Sequence, residues 1–111
     1  MSQNIFSKKI AIIGLGYVGL PLLMSFSKKF DVIGYDINLN RINEIKKGTD
    51  SYNEYQIKKN LNYKNCKFTN NFNKLENIDI FIVTVPTPVY KNNKPNLRSL
   101  KVVSKNIGRV I

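Results

Sequence analysis

The residues best suited to chemistry lie in one short run, Gly14-Leu15-Gly16-Tyr17-Val18-Gly19, which spaces three glycines as G-x-G-x-x-G. The run follows an apolar, β-branched stretch and opens one with helical spacing, which is the context in which such a turn receives a pyrophosphate. Each glycine then has a task. Gly14 permits a tight turn off the strand, Gly16 lets the backbone approach the pyrophosphate, and Gly19 lets the helix pack closely on the sheet. The helix N-terminus adds free N–H groups and a partial positive charge. The alternative is a plain glycine turn in an α/β protein. Asp36 lies 17 residues past Gly19, at the end of the next apolar stretch. A carboxylate there accepts hydrogen bonds from an adenosine ribose and repels a 2′-phosphate, so the expected cofactor is NAD. The alternative for Asp36 is a helix cap. Arg41 lies one turn into the following helix, either along an adenine, near a phosphate, or simply on the surface.

The rest of the inventory argues for binding rather than a complete reaction. The chain has no histidine, which removes the commonest general base. Its single cysteine, Cys66, excludes a disulfide framework and a cysteine-built zinc site, so neither catalytic residues nor metal ligands are assigned. Cys66 itself reads as a small core residue.

The elements that must hold the turn follow from periodicity. Residues 9–15 predict a buried strand, and 17–28 a helix with Val18, Leu22, Leu23 and Phe26 facing inward. Pro21 falls in its first turn, where a missing N–H does little harm. Residues 30–36 predict a second strand. Asn38 caps a helix running to Lys47, with Leu39, Ile42 and Ile45 inward and Gly48 as its stop. Further on come a short helix within 53–61, a strand at 66–69, a helical turn at 72–76 and a strand at 79–85. The last is continuously apolar, as a strand buried on both faces would be. Asn96 caps a final helix with Leu97, Leu100, Val103 and Ile107 inward. The order βαβα(α)ββα implies parallel strands with right-handed crossovers, a Rossmann-type sheet with helices on both faces. Residues 1–111 then form one NAD-binding domain, truncated where the next strand would follow.

A length of 111 residues supports one small domain. The net charge of +11 comes from 18 basic against 7 acidic residues, and the basic residues are lysines except for three arginines. The lysines come as scattered pairs, the pattern of a solvated surface rather than a nucleic-acid site. Residues 8–27 superficially mimic a secretory signal. Gly14, Gly16, Gly19 and Pro21 interrupt the apolar run, which is also too short for a membrane span. The expected compartment is the cytoplasm, with no membrane partner.

Taken with Leu20-Pro21, Asp36, the Val85-Pro86-Thr87-Pro88 turn and Pro95-Asn96-Leu97, the glycine run resembles the N-terminal part of the UDP-sugar 6-dehydrogenases. The likeness is greatest to the UDP-N-acetylhexosamine branch of bacterial polysaccharide synthesis, since the UDP-glucose branch more often has Ser or Thr at the position of Leu15. Asn96 stands where the family usually has Asp, and both cap helices well. The resemblance implies that Tyr17 and Val18 meet the pyrophosphate through backbone N–H groups. It also implies that Val85, Pro86 and Thr87 flank the cofactor at the mouth of the fourth strand. The intact protein would oxidise the C6 hydroxyl of UDP-GlcNAc, UDP-GalNAc or UDP-ManNAc to a carboxylate, passing two hydrides to NAD in turn. The family's nucleophilic cysteine, its lysine and most UDP-sugar contacts would lie beyond residue 111, leaving this piece inactive alone. The full-length protein would be a homo-oligomer. Two other readings of the glycine turn are a regulatory nucleotide-binding module of a channel or transporter and another two-domain NAD dehydrogenase.

Overall fold

A computed structural model describes residues 7–49, 57–85, 92, 94 and 97–111. The chain runs β1 (Lys9–Ile13), α1 (Gly19–Ser27), β2 (Asp31–Tyr35), α2 (Leu39–Lys47), α3 (Ile57–Asn60), β3 (Cys66–Thr69), β4 (Ile80–Val83) and α4 (Arg98–Val110). Single 3-10 turns at Tyr63–Asn65 and Phe72–Lys74 flank β3. The four strands form one parallel sheet in the order β3-β2-β1-β4. The chain thus moves outward from β1 to β3, then crosses back to lay β4 on the other side of β1. That reversal leaves a crevice at the carboxyl ends of β1 and β4, where ligands of open α/β sheets bind.

Alternation along the central strand sorts the core into two layers. Ile10 and Ile12 face α1, α2 and α3, joining Leu15, Leu20, Leu23, Val32, Ile42, Ile45 and Ile57. Ala11 and Ile13 face the other way, toward Leu75 of the turn after β3 and Val103 and Ile107 of α4. Helices therefore cover both faces, as the alternating pattern predicted. α2 begins and ends as its sequence dictates. The Asn38 side chain accepts from the Asn40 N–H at 3.0 Å, and Gly48 closes the helix in the left-handed conformation at φ 81°.

The structure corrects several expectations. α1 starts at Gly19, not Tyr17, because the turn consumes two further residues, and Val18 is 61% exposed rather than inward. Leu20, Leu23, Met24 and Ser27 form its buried face, with Leu22 and Phe26 half-buried. Leu39 opens α2 outside the core and is exposed, and Arg41 instead is buried beside Ile42 and Ile45. α4 begins at Arg98, so Leu97 occupies the N-cap position and is exposed; Asn96, expected there, lies outside the described residues. β4 is only partly buried, since it forms one edge of the sheet among the described residues. The expected helix within 53–61 is described only as Ile57–Asn60. Each strand is also two or three residues shorter than its expected run, apart from β3, which matches.

Cys66 is half-buried at the start of β3 and packs against the larger core layer. Burial pushes its thiol up to about 11, against a smaller lowering by a hydrogen bond with Ser27. It is a structural thiol, far too protonated near neutrality to act as a nucleophile.

Candidate functional site

The glycine turn connects β1 to α1 at the crevice, and each glycine occupies a different environment. Gly14 has φ 97°, a left-handed conformation that a side chain resists, and its N–H donates to the Tyr35 carbonyl at 2.8 Å. A Cβ on Gly19 would run into the Gly14 carbonyl oxygen and lie 2.6 Å from Thr84 Oγ1. No space for it exists, because α1 comes against the end of β1 at that point. Gly16 is the opposite case. Nothing lies within 4 Å of where its Cβ would stand, and its φ is outside the left-handed region. The requirement at Gly16 is thus access, as its place in the motif predicted, and not backbone conformation. Glycine there keeps open a space that no part of the described chain fills.

Thr84 completes the turn. Its hydroxyl lies 2.7 Å from the Gly14 carbonyl oxygen and 3.1 Å from that of Ile13, while its N–H donates to Ile13 at 2.8 Å. It thereby ties the end of β4 to the end of β1 on the floor of the crevice. Sequence reasoning passed over Thr84, although it is the only hydroxyl in the run Ile80–Val85.

Leu15 is held on three sides. Its side chain is fully buried, with its δ-methyls against Gly34 where a Cβ would lie 3.1 and 3.2 Å from them. Its N–H donates to Asp36 Oδ2 at 2.9 Å. Its carbonyl accepts from Arg41 Nε at 2.7 Å. Arg41 is 6% exposed and pairs through Nη1 with Glu44 Oε2 at 3.1 Å, so the surface alternative for Arg41 is excluded. Asp36 also accepts from the Asn38 N–H through Oδ1 at 2.9 Å. Each carboxylate oxygen thus carries one backbone bond, and each retains a second lone pair for a hydroxyl from the crevice. The cap reading of Asp36 is in part correct, since it fixes the loop that leads into α2, but the residue itself lies two places before the N-cap.

A cleft of about 370 Å³ opens beside these groups, lined by Gly14, Asp36, Ile37 and Val85 on one side and Arg98, Ser99 and Val102 of α4 on the other. Its walls are mainly apolar, with the carboxylate at one end, which suits a flat heterocycle attached to a ribose. Tyr35 also lines it, and its hydroxyl is pushed above the usual phenol range by burial and then by the Asp36 charge. The α4 residues were missed in the sequence because only the core-facing positions Leu100, Val103 and Ile107 were counted. Ser99, Val102 and Asn106 lie one position before each of these, on the adjoining face. Tyr17 and Val18 are both more than half exposed at the rim. Pro86 and Thr87 lie outside the described residues, as does most of the loop that follows. Two roomier hollows, of about 460 and 600 Å³, sit at the amino ends of β1 and β2 and along β3. Neither has a glycine turn or reaches the carboxyl ends of β1 and β4, and lysines line both.

The turn also presents a helix end to the crevice. α1 has no side-chain cap and no acidic residue in its first turn, so its positive end is left for an anion.

Residues 8–111 match the UDP-glucose/GDP-mannose dehydrogenase family, NAD binding domain. The chain belongs to that family. Among its relatives is Protein CapL of Staphylococcus aureus, 45% identical over 95% of this chain and 24% of the relative. Another is the UDP-N-acetyl-D-glucosamine 6-dehydrogenase of Pseudomonas aeruginosa, 44% identical over 93% of this chain and 24% of the relative. In structure it is similar to a UDP-D-ManNAc dehydrogenase from Pyrococcus horikoshii, with TM-score 0.80 and 30% identity over 93% of this chain and 26% of that one. The chain thus spans about a quarter of the length of the curated relatives it matches. As the family's NAD-binding domain, it carries a Rossmann sheet whose switch point is the crevice described above. No helix among the described residues is long and apolar enough to cross a membrane.

Proposed function

We propose that this chain supplies the NAD site of a UDP-N-acetylhexosamine 6-dehydrogenase, with Gly14, Leu15, Gly16, Tyr17, Val18, Gly19, Asp36, Arg41, Val85, Pro86 and Thr87 as its cofactor-binding residues. The observation that carries the reading is the pairing of two features. Open space at Gly16 faces an uncapped helix end, and a carboxylate stands at the end of β2 beside an apolar cleft. A pyrophosphate suits the first and an adenosine the second, and the two are joined where the Leu15 N–H donates to Asp36. The names of the relatives support the substrate class: a UDP-N-acetylhexosamine in the intact protein.

When bound, NAD accepts the hydride leaving C6 of the sugar. The residues of this chain bind and orient. The open face at Gly16 admits the phosphates to the backbone of the turn. The N–H groups of Tyr17, Val18 and Gly19, leading into α1, hold their charge, because the Leu20 N–H already donates to the Gly16 carbonyl and Pro21 has none. Asp36 accepts from ribose hydroxyls and repels a 2′-phosphate, which selects against NADP. Val85, Ile37 and Val102 exclude water from one flank of the adenosine. None of these groups is a thiol or amine placed to attack a sugar carbon, and in this proposal the covalent chemistry belongs to further sequence of the parent protein. In this proposal that parent is a cytoplasmic homo-oligomer.

Isothermal titration of the chain with NAD and NADP tests the cofactor site. NAD binds more tightly in the expected result, and equal or tighter NADP binding removes Asp36 from the reading. The absence of covalent chemistry in this chain is tested by absorbance of NADH with UDP-GlcNAc, UDP-GalNAc and UDP-ManNAc. The chain alone stays at baseline. Turnover by the chain that survives Cys66→Ser would place the catalytic apparatus within these residues and refute the division of labour.

A further inference from the structure

We infer that Thr84 is a positioning residue for the glycine turn, acting through the peptide unit that joins Gly14 to Leu15. The inference rests on the NAD reading above for the identity of the ligand, but the geometry that carries it is independent of any ligand. That peptide opens the turn, and two different strands fasten its two ends. Its carbonyl oxygen lies 2.7 Å from Thr84 Oγ1, just past β4, and its N–H donates to Asp36 Oδ2 at 2.9 Å, just past β2. β2 and β4 flank β1 on opposite sides. The first peptide of the turn is thus held across the point where the strand order reverses. Its plane sets the direction in which Leu15 and Gly16 leave the strand, and with it how the following N–H groups face the crevice.

The Thr84 hydroxyl has one proton to give, and the Gly14 carbonyl is the acceptor that needs it. The Ile13 carbonyl, 3.1 Å from the hydroxyl, already accepts the Thr84 N–H at 2.8 Å. The outer glycines of the motif also leave the room this hydroxyl occupies. A Cβ on Gly14 would lie 3.2 Å from Thr84 Oγ1, and one on Gly19 2.6 Å from it. The first and third glycines therefore shape a slot that the threonine fills from the end of β4, while the middle one stays open. Branching at Cβ restricts the side chain to few rotamers, which keeps the hydroxyl in that slot. Gly14 is buried, so a carbonyl there that loses its donor is unfavourable. Relief comes from rotation of the peptide, which also withdraws the Leu15 N–H from Asp36.

The test uses Thr84→Ser, which keeps the hydroxyl, and Thr84→Ala, which removes it without crowding the slot. Amide NMR without ligand and titration with NAD, ADP and adenosine follow, at a temperature where circular dichroism shows both variants folded. In Thr84→Ala the Leu15 amide is expected to shift and to exchange faster. NAD and ADP should bind it about tenfold more weakly, the scale of one buried carbonyl left without its donor. Thr84→Ser should keep the parent's Leu15 amide and bind both ligands within about twofold of the parent. Adenosine, which lacks the pyrophosphate, should bind both variants as it binds the parent, because the Asn38 N–H still holds Asp36. An unmoved Leu15 amide in Thr84→Ala would overturn the inference. So would parent-like NAD affinity in folded Thr84→Ala, which would leave Thr84 a stabilising residue only. An equal loss in Thr84→Ser would assign the effect to the methyl group, and an equal loss for adenosine to loosening of the whole crevice; either refutes it. If the parent chain binds no NAD, the cofactor reading fails, while the ligand-free amide data still decide whether Thr84 fixes the turn.

Discussion

Gly16 and Gly19 stand three residues apart in one motif, yet the structure predicts opposite failures when they are changed. In Gly19→Ala the new methyl collides with the Gly14 carbonyl and with Thr84 Oγ1. The first obstacle is main chain at the end of a central strand, so it cannot swing aside as a flexible side chain would. Relief requires α1 to lift from the sheet, loosening Leu20 and Leu23, both fully buried. Overpacking of this kind costs about 3 kcal/mol. Alanine's better helix propensity returns about 1 kcal/mol. The net loss of about 2 kcal/mol lowers the Tm of a domain this size by roughly 10 °C. In Gly16→Val the side chain enters open space and leaves the Tm within a few degrees of the parent, but it fills the region assigned to the pyrophosphate. Thermal melts followed by circular dichroism, paired with NAD titration of each variant, separate the two. Gly19→Ala melting with the parent would refute the close approach of α1. Gly16→Val binding NAD as tightly as the parent would reduce the open space to an accident of the turn.

Two further outcomes follow from the same geometry. Thr84→Val removes the hydroxyl bonded near the Gly14 and Ile13 carbonyls and is expected to cost about 2 kcal/mol in urea unfolding, while Thr84→Ser keeps most of it. The Cys66 thiol ionises at about 11 in the folded chain against 9.0 unfolded, so the folded state holds its proton longer. Stability from this group is complete below pH 9 and is lost as pH rises toward 11, and the raised phenols of Tyr35 and Tyr63 act in the same direction. Urea midpoints measured from pH 8 to 11 should fall, and less steeply in Cys66→Ala.

What could be read from the residues alone was whatever depends on local pattern. β1 and β2 are apolar runs ending at glycine and aspartate, α2 has an asparagine cap and a left-handed glycine stop, and the glycine spacing marks the turn. These signals are short-range, and they placed the crevice correctly. The errors fell where a residue's environment is set by chain far away in sequence. Val18 has helical spacing relative to Leu22, but the turn ahead of it must first clear the end of β1, so it points outward. Leu97 fails for a similar reason at the start of α4. Thr84 looked like one more strand residue because its partners, Ile13 and Gly14, are about 70 positions earlier. Arg41 is the sharpest case. A lone arginine early in a helix gives no sign of burial, since its partner carbonyl belongs to Leu15, 26 residues before it. The motif names the residues of the turn. The groups that hold those residues in place come from β4 and from the β2–α2 unit, and they carry no motif of their own. In a site built from backbone N–H groups, affinity depends on peptide orientation, and the side chains that set it deserve mutation before those at the rim.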